Sequence, residues 1–349
     1  MVEQPASLPY VDAPLLAGLD DTDHWAPDAA RVRLDRLSGE LPFRIPPAPR
    51  FAGGNSNDVW DLGDTYLHVC WRADRDRLLR DARLRLALPP SIPHAPVHDF
   101  GRTDELSWVV SGRVPGESLL DHVASPRPVL RELFRQFAGI RESLHRWVPP
   151  PALRALLAER PTMDAEDPLS VWGADLVPLP TWRARAQLEL AKASAFVDAG
   201  LIDAAGERIA ELAAADPLAG DPASGVVVHG DPWNCLALDG RITAMIDFEW
   251  ARMGPRDLDL VVPLYLVQRP PGERSGPPVV PYLDWLEEDY PALFEAPDLE
   301  RRLWLYELCF CLRGVIWWPP CEPEAARVLY RDGHPLHGLR RLVEAPFSR

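Results

Sequence analysis

At 349 residues, 47% hydrophobic and 26% charged, the chain is long enough for one elaborate domain or two lobes, and wholesale disorder, coiled-coil and collagen-like architectures are excluded. Acids outnumber bases 52 to 37, and the net charge of −15 disfavours nucleic acid or an anionic membrane surface as the main partner, because both would be repelled. Lys192 is the one lysine, so nearly all positive charge is arginine and chemistry that needs several lysines is excluded.

Residues 1–50 are rich in proline and acids and read as an N-terminal appendage with one short helix over Pro27–Leu37, leaving at Gly39. From Phe51 a Gly-rich turn precedes DVWDLG and TYLHVCWR, alternating runs separated by Gly63-Asp64 that predict a hairpin. Asp74–Leu88 carries Leu78, Leu79, Ala82 and Leu86 at helical spacing, and Pro89-Pro90 stops it. Two further strands are predicted over Pro96–Phe100 and Leu106–Val110, before a Gly/Pro-marked crossing at Gly112–Gly116.

Beyond that crossing the pattern turns helical, near Val129–Arg146, Trp182–Ala199 and Ile202–Ala215, which divides the chain at 51–112 and 113–349. Within the second part, GVVVHG, DPWN and CLALDGRITAMIDFEW predict a buried strand, a tight polar loop and a hairpin turned at Asp239-Gly240. The remainder is helical and rich in tryptophan, including Trp304, Trp317 and Trp318, a pattern of core packing. The five scattered cysteines, Cys70, Cys235, Cys309, Cys311 and Cys321, form neither a CxxC pair nor a zinc pattern and are expected as buried thiols. With no basic leader and no apolar run of about 18 residues, the expectation is a cytoplasmic protein, monomeric by default.

The sharpest constellation is His229-Gly230-Asp231, then Asn234, then Ile246-Asp247-Phe248. A carboxylate in a tight loop after a buried strand can take the proton of a substrate hydroxyl, which makes Asp231 the candidate general base. Asn234 and Asp247 offer the hard oxygen ligands that Mg2+ prefers, and a metal held there would bridge nucleotide phosphates. Taken singly, Asp231 also fits a turn or cap aspartate and Asp247 a strand-end cap. Together they read as phosphoryl transfer.

These residues give the chain its resemblance to the aminoglycoside phosphotransferase and choline kinase-like enzymes, small-molecule kinases with a protein-kinase-like fold. HGDPWN at 229–234 and IDFEWARMGPRDLDL at 246–260 carry it, with weaker support from GGNSNDVW at 53–60, Leu144-His145 and RVPGESL at 113–119. The resemblance spans roughly residues 50–265 and implies an α+β, two-lobed fold, with an antiparallel sheet plus helix in the first lobe and a larger helical second lobe. It implies that Asp231 engages the acceptor hydroxyl, that Asn234 and Asp247 bind Mg2+, and that ATP or GTP is the donor. His229 would anchor the loop, and Asp257 and Asp259 would brace it. Asp231 and Asn234 lie three positions apart where the family usually has five, so the catalytic loop is shorter by two residues.

The family's strand lysine, which commonly contacts the α- and β-phosphates and pairs with a helix acid, is missing. Alignment of TYLHVCWR puts His68 at its position, with Arg72 as a possible substitute and Asp81 as the helix acid. Phosphate binding then falls to the backbone of Gly53, Gly54, Asn55, Ser56 and Asn57. The lobe connection over Trp108–Arg113, including Ser111 and Arg113, would present backbone groups to the purine, which leaves ATP and GTP undistinguished. For a cationic acceptor the candidates are Glu249 and, on a predicted helix, Glu287 and Glu288. The expected activity is transfer of a γ-phosphoryl group to a small-molecule hydroxyl, in an antibiotic of aminoglycoside, peptide or nucleoside type. The alternatives are a primary-metabolite kinase acting on choline, homoserine or a sugar, and a nucleotide-binding pseudokinase.

Overall fold

The computed structural model describes residues 27–53, 57–71, 76–159, 199–213, 224–230, 234–260, 281–317 and 335–344. The helix expected over 182–199 lies outside them except for its last residue.

Five strands, β1 (Arg50–Gly53), β2 (Asp58–Asp61), β3 (Thr65–Cys70), β4 (Val97–Arg102) and β5 (Ser107–Gly112), form one antiparallel sheet in the order β1-β2-β3-β5-β4. Strand alternation divides its side chains between two faces. Trp60, Leu67, Val69, Trp108 and Val110 pack against Ala29, Ala30, Leu34 and Leu37 of α1 (Pro27–Ser38). Cys70 and Val109 face the other way, onto Leu78 and Ala82 of α2 (Asp76–Ala87).

The helix expected near Pro27–Leu37 thus forms, but it does not stand apart with an N-terminal appendage: it covers the outer face of the first-lobe sheet. Arg33 joins the two. It is fully buried, donates from Nε and Nη2 to the Asp58 carboxylate at 2.6 and 2.7 Å, and stacks on the Trp71 ring at 4.7 Å. A charged side chain within an apolar stripe hid this packing from periodicity alone.

The chain crosses into the second lobe at Gly116, where φ is +135° and a Cβ would lie 2.8 Å from the Ala237 carbonyl oxygen, so only glycine fits. The second lobe contains β6 (Glu117–Ser118), α3 (Arg127–Arg146), α4 (Pro151–Ala158), α5 (Ala199–Ala213), β7 (Val226–Val228), β8 (Cys235–Leu238), β9 (Arg241–Met245), β10 (Arg252–Gly254), α6 (Tyr282–Asp289), α7 (Leu299–Trp317) and α8 (Pro335–Glu344). In α3, Leu130, Leu133, Phe134, Phe137, Ala138, Arg141, Leu144 and His145 are buried, the three-to-four spacing of a core-facing helix. Phe134 and Phe137 meet the Tyr282 ring of α6 at 4.9 and 6.3 Å between centroids. The expected β8–β9 hairpin turns at Asp239 (φ 51°) and Gly240 (φ 73°), the two left-handed residues of a type I′ turn.

Helix α2 belongs to both lobes. Its Leu84 joins the second-lobe core with Leu88 and Ile92, and the Met245 N–H of β9 donates to the Pro93 carbonyl at 2.8 Å. Cys70, Cys235 and Cys311 are buried free thiols, and burial pushes Cys235 up to about 12. Among the described residues no helix is long and apolar enough to cross a membrane.

Replacing Arg33 by alanine leaves the Asp58 carboxylate buried without its cation, and a stability loss of about 3–5 kcal/mol is expected in urea denaturation. A loss below about 1 kcal/mol would show that this pair is not what binds α1 to the sheet.

Candidate active site

Asn234 precedes β8 and Asp247 follows β9, so the hairpin returns the chain to its starting point. The Ile246 N–H donates to the Asn234 carbonyl at 2.8 Å, and Asn234 Nδ2 donates to Asp247 Oδ2 at 3.1 Å. The structure therefore brings together the two residues read from sequence as metal ligands, with Asp247 exposed and Asn234 partly so. Asp247 has φ 64° and ψ 56°, a left-handed conformation that costs an ordinary L residue about 1–2 kcal/mol and that Asp and Asn tolerate best. Bonds on both sides impose it: the Ile246 carbonyl accepts from His229 Nε2 at 3.1 Å, and the Phe248 N–H donates to Asp81 Oδ1 at 3.2 Å.

The loop that follows β7 is held by a second buried carboxylate. Asp259 accepts the Gly230 N–H at 2.9 Å on Oδ1, and on Oδ2 the His229 N–H at 3.2 Å and His145 Nε2 at 3.0 Å. Arg141 donates to the Asp259 carbonyl at 2.6 Å, and His145 Nδ1 meets the Tyr290 hydroxyl at 2.9 Å. Burial by itself would raise the Asp259 carboxyl, but the His145 bond, the Arg141 charge and the Gly230 N–H outweigh it and hold the group well below the usual carboxylate range. Asp257 is bound by Arg302 at 2.6 and 2.8 Å. Asp231 itself lies outside the described residues, as do Gly54, Asn55, Ser56 and Arg72.

In the first lobe, Gly53 (φ 94°) ends β1 at a register shift opposite Val59, and Asn57 opens the way into β2. His68 lies on β3 between Val59 and Val109. Burial, reinforced by the Arg85 charge, pushes its pKa down to about 4, which favours the neutral imidazole near pH 7 in the unliganded chain. Asp81 is buried on α2 as expected of a helix acid, but its partner is Arg85, one turn further on, at 2.5 Å. Arg85 also donates to Ser111 Oγ at 2.8 Å and to the Ala95 carbonyl at 3.2 Å. Arg113 turns back over the β2–β3 turn, donating to the Gly63 carbonyl at 2.7 Å and to the Tyr66 hydroxyl at 2.6 Å.

Glu249 does not face an open cleft. It is 2% exposed, 3.0 Å from Arg77 Nε, and accepts from Asn57 Nδ2 at 2.6 Å, while Arg77 donates to Asn57 Oδ1 at 3.1 Å and stacks on Trp250 at 5.1 Å. This arrangement binds the residues after Asp247 to α2 and to the end of the Gly-rich turn. Glu287 is exposed on α6, and Glu288 pairs with Arg131 of α3 at 3.1 Å, as does Asp289 at 2.9 Å. Sequence reasoning missed Arg77 and Arg85, because arginines in an arginine-rich helix read as a solvated face. The available signal was the i,i+4 spacing of Asp81 and Arg85.

Glu249→Gln removes the charge facing buried Arg77, and a loss of about 3 kcal/mol in stability is expected with acceptor preference unchanged. Altered acceptor preference at unchanged stability would return Glu249 to an acceptor-binding role. Burial, against the pull of Asp259, pushes His229 down to about 4. Between about pH 6.5 and 4 the unfolded chain therefore binds a proton there that the native chain refuses, so stability falls as pH falls, by up to about 1.4 kcal/mol per pH unit from this residue. In urea titrations His229→Gln should reduce that slope by one proton; an unchanged slope would contradict the burial of a neutral imidazole.

The family model for the phosphotransferase enzyme family (APH) matches residues 48–306. Among solved structures, aminoglycoside phosphotransferase APH(4)-Ia in a thermostable apo form is 16% identical, with a TM-score of 0.54 over 85% of this chain and 94% of that one. ADP-bound APH(2'')-Ib is 15% identical, with a TM-score of 0.53 over 89% and 95%. The gentamicin complex of APH(2'')-IIa is 14% identical, with a TM-score of 0.57 over 90% and 96%. No curated protein sequence matches the chain. With the motif residues gathered between a five-stranded lobe and a helical lobe, the chain belongs to the phosphotransferase enzyme family and is a small-molecule O-phosphotransferase with the protein-kinase-like fold.

Proposed function

We propose that the chain transfers the γ-phosphoryl group of ATP to a hydroxyl of an antibiotic of aminoglycoside, peptide or nucleoside type. The observation that carries this is the meeting of Asn234 and Asp247 at 3.1 Å beside a loop whose entry, His229-Gly230, is pinned by Asp259. Support for the donor and acceptor classes comes from structural neighbours, one bound to ADP, another to AMP-PNP and hygromycin B, and a third to gentamicin.

A carboxylate and a carboxamide in contact are the hard oxygen donors that Mg2+ takes, so Asn234 and Asp247 would hold it. The ion, when bound, neutralises charge that develops on the phosphates. Asp231 follows Gly230 directly, and its carboxylate accepts the proton of the acceptor hydroxyl as that oxygen bonds to the γ-phosphorus. The bond from the γ-phosphorus to the β–γ bridging oxygen breaks, and ADP leaves with that electron pair. Asp259 acts on none of the reacting atoms; it fixes the start of the loop that presents Asp231.

The test is purified protein with ATP or GTP against a panel of aminoglycoside, peptide and nucleoside antibiotics, with phosphorylated product read by mass. Product with an antibiotic is expected. Product only with choline, homoserine or a sugar would replace the acceptor class, and none with any acceptor would leave a nucleotide-binding pseudokinase. Asp231→Ala is expected to lower turnover about 10²–10⁴-fold with nucleotide affinity retained. Asp247→Asn is expected to raise the Mg2+ concentration for half-maximal rate at least about tenfold, and an unaltered titration would remove it from the ligand set.

A further inference from the structure

We propose that Arg85 of α2 holds the phosphates of the nucleotide donor, filling from a helix the place that a strand lysine would occupy. The proposal rests on the donor assignment above. A triphosphate carries several negative charges, and in a protein of net charge −15 whose one lysine is Lys192 the side-chain cation that would join Mg2+ and backbone amides in meeting them is an arginine. The strand residue at the expected position, His68, is held toward the neutral form by burial and by the nearby Arg85 charge when no nucleotide is bound.

Arg85 lies where such a cation is needed. One of its terminal nitrogens binds Ser111 Oγ at 2.8 Å, at the end of β5 where the lobe connection begins. The other binds Asp81 Oδ2, and the opposite oxygen of Asp81 accepts the N–H of Phe248, the residue after Asp247. The guanidinium thus lies between the lobe connection and the turn that carries Asp247, the two ends of a nucleotide bound in the cleft. Arg85 is 5% exposed, and its Nε has no hydrogen-bond acceptor among the described residues. A buried donor left unmatched is costly, and a phosphate oxygen would satisfy it. Ser111 Oγ and the Ala95 carbonyl are neutral acceptors that an anionic phosphate oxygen outcompetes.

A merely structural Arg85 and a phosphate-binding one differ in how affinity depends on the number of phosphates. Binding of adenosine, ADP and ATP with Mg2+ would be measured by calorimetry for the wild type, Arg85→Met and the transplant His68→Lys with Arg85→Met. Arg85→Met is expected to weaken ADP and ATP at least about tenfold and adenosine less than about twofold, and the transplant to recover most of the loss. If the methionine variant does not fold, Arg85→Lys carries the test, with a smaller loss for ADP and ATP and none for adenosine. Equal loss for all three ligands, or no loss, overturns the proposal while leaving the donor assignment intact. Failure of the wild type to bind ADP or ATP overturns both.

Discussion

One buried carboxylate sets the geometry on which the site depends. Asp259 is 1% exposed, yet it remains ionised because two backbone N–H groups, an imidazole and a nearby guanidinium surround it. It accepts the backbone N–H groups of residues 229 and 230, so the loop leaving β7 starts from a fixed point. The same carboxylate ties that loop to α3 through His145, so a 20-residue core helix and the loop after β7 share one anchor.

A second fixed point is made from α2. Asp81 holds the Phe248 amide and Arg77 holds Glu249, so consecutive residues after Asp247 are bound to one helix face, and Asn57 adds the end of the Gly-rich turn. This explains how Asp247 keeps its left-handed backbone: neighbours on each side are hydrogen-bonded, and relaxation of one residue would break bonds at both. Movement of α2 would therefore displace the Asp247 turn and the Gly-rich turn together. Breaking such buried pairs is costly, whereas forming them stabilises little beyond an apolar substitute, so their use here is to specify position.

The near absence of lysine gives these contacts their character. A guanidinium bonds two elements at once, and Arg33, Arg85 and Arg141 each do so in the buried interior. Arg33 spans α1 and the sheet, Arg85 spans α2 and β5, and Arg141 spans α3, Tyr282 of α6 and the Asp259 carbonyl. An acidic surface and an arginine-stitched interior coexist because each of these guanidiniums meets oxygen acceptors of a neighbouring element where it stands.

The order of elements was legible in the sequence: the hairpin at Gly63-Asp64, the helix stopped by Pro89-Pro90 and the β8–β9 hairpin at Asp239-Gly240 all depend on local turn chemistry and on apolar spacing of two or of three to four. The meeting of Asn234 with Asp247 was legible too, because a two-residue turn between paired strands must return the chain to where it left. The partners of buried charge were not legible. Apart from the i,i+4 spacing to Asp81, nothing local distinguishes Arg85 from an exposed arginine such as Arg83 on the same helix, and nothing local shows that Arg85 reaches Ser111, that Glu249 faces Arg77 and not a cleft, or that α1 covers the sheet through Arg33. Sequence by itself determined the elements and the motif residues, because periodicity and turns act within a few positions. Only the tertiary structure decided which charge meets which, because that choice is made between segments as far apart as those of Arg77 and Glu249, where burial turns an ordinary surface residue into a matched ion.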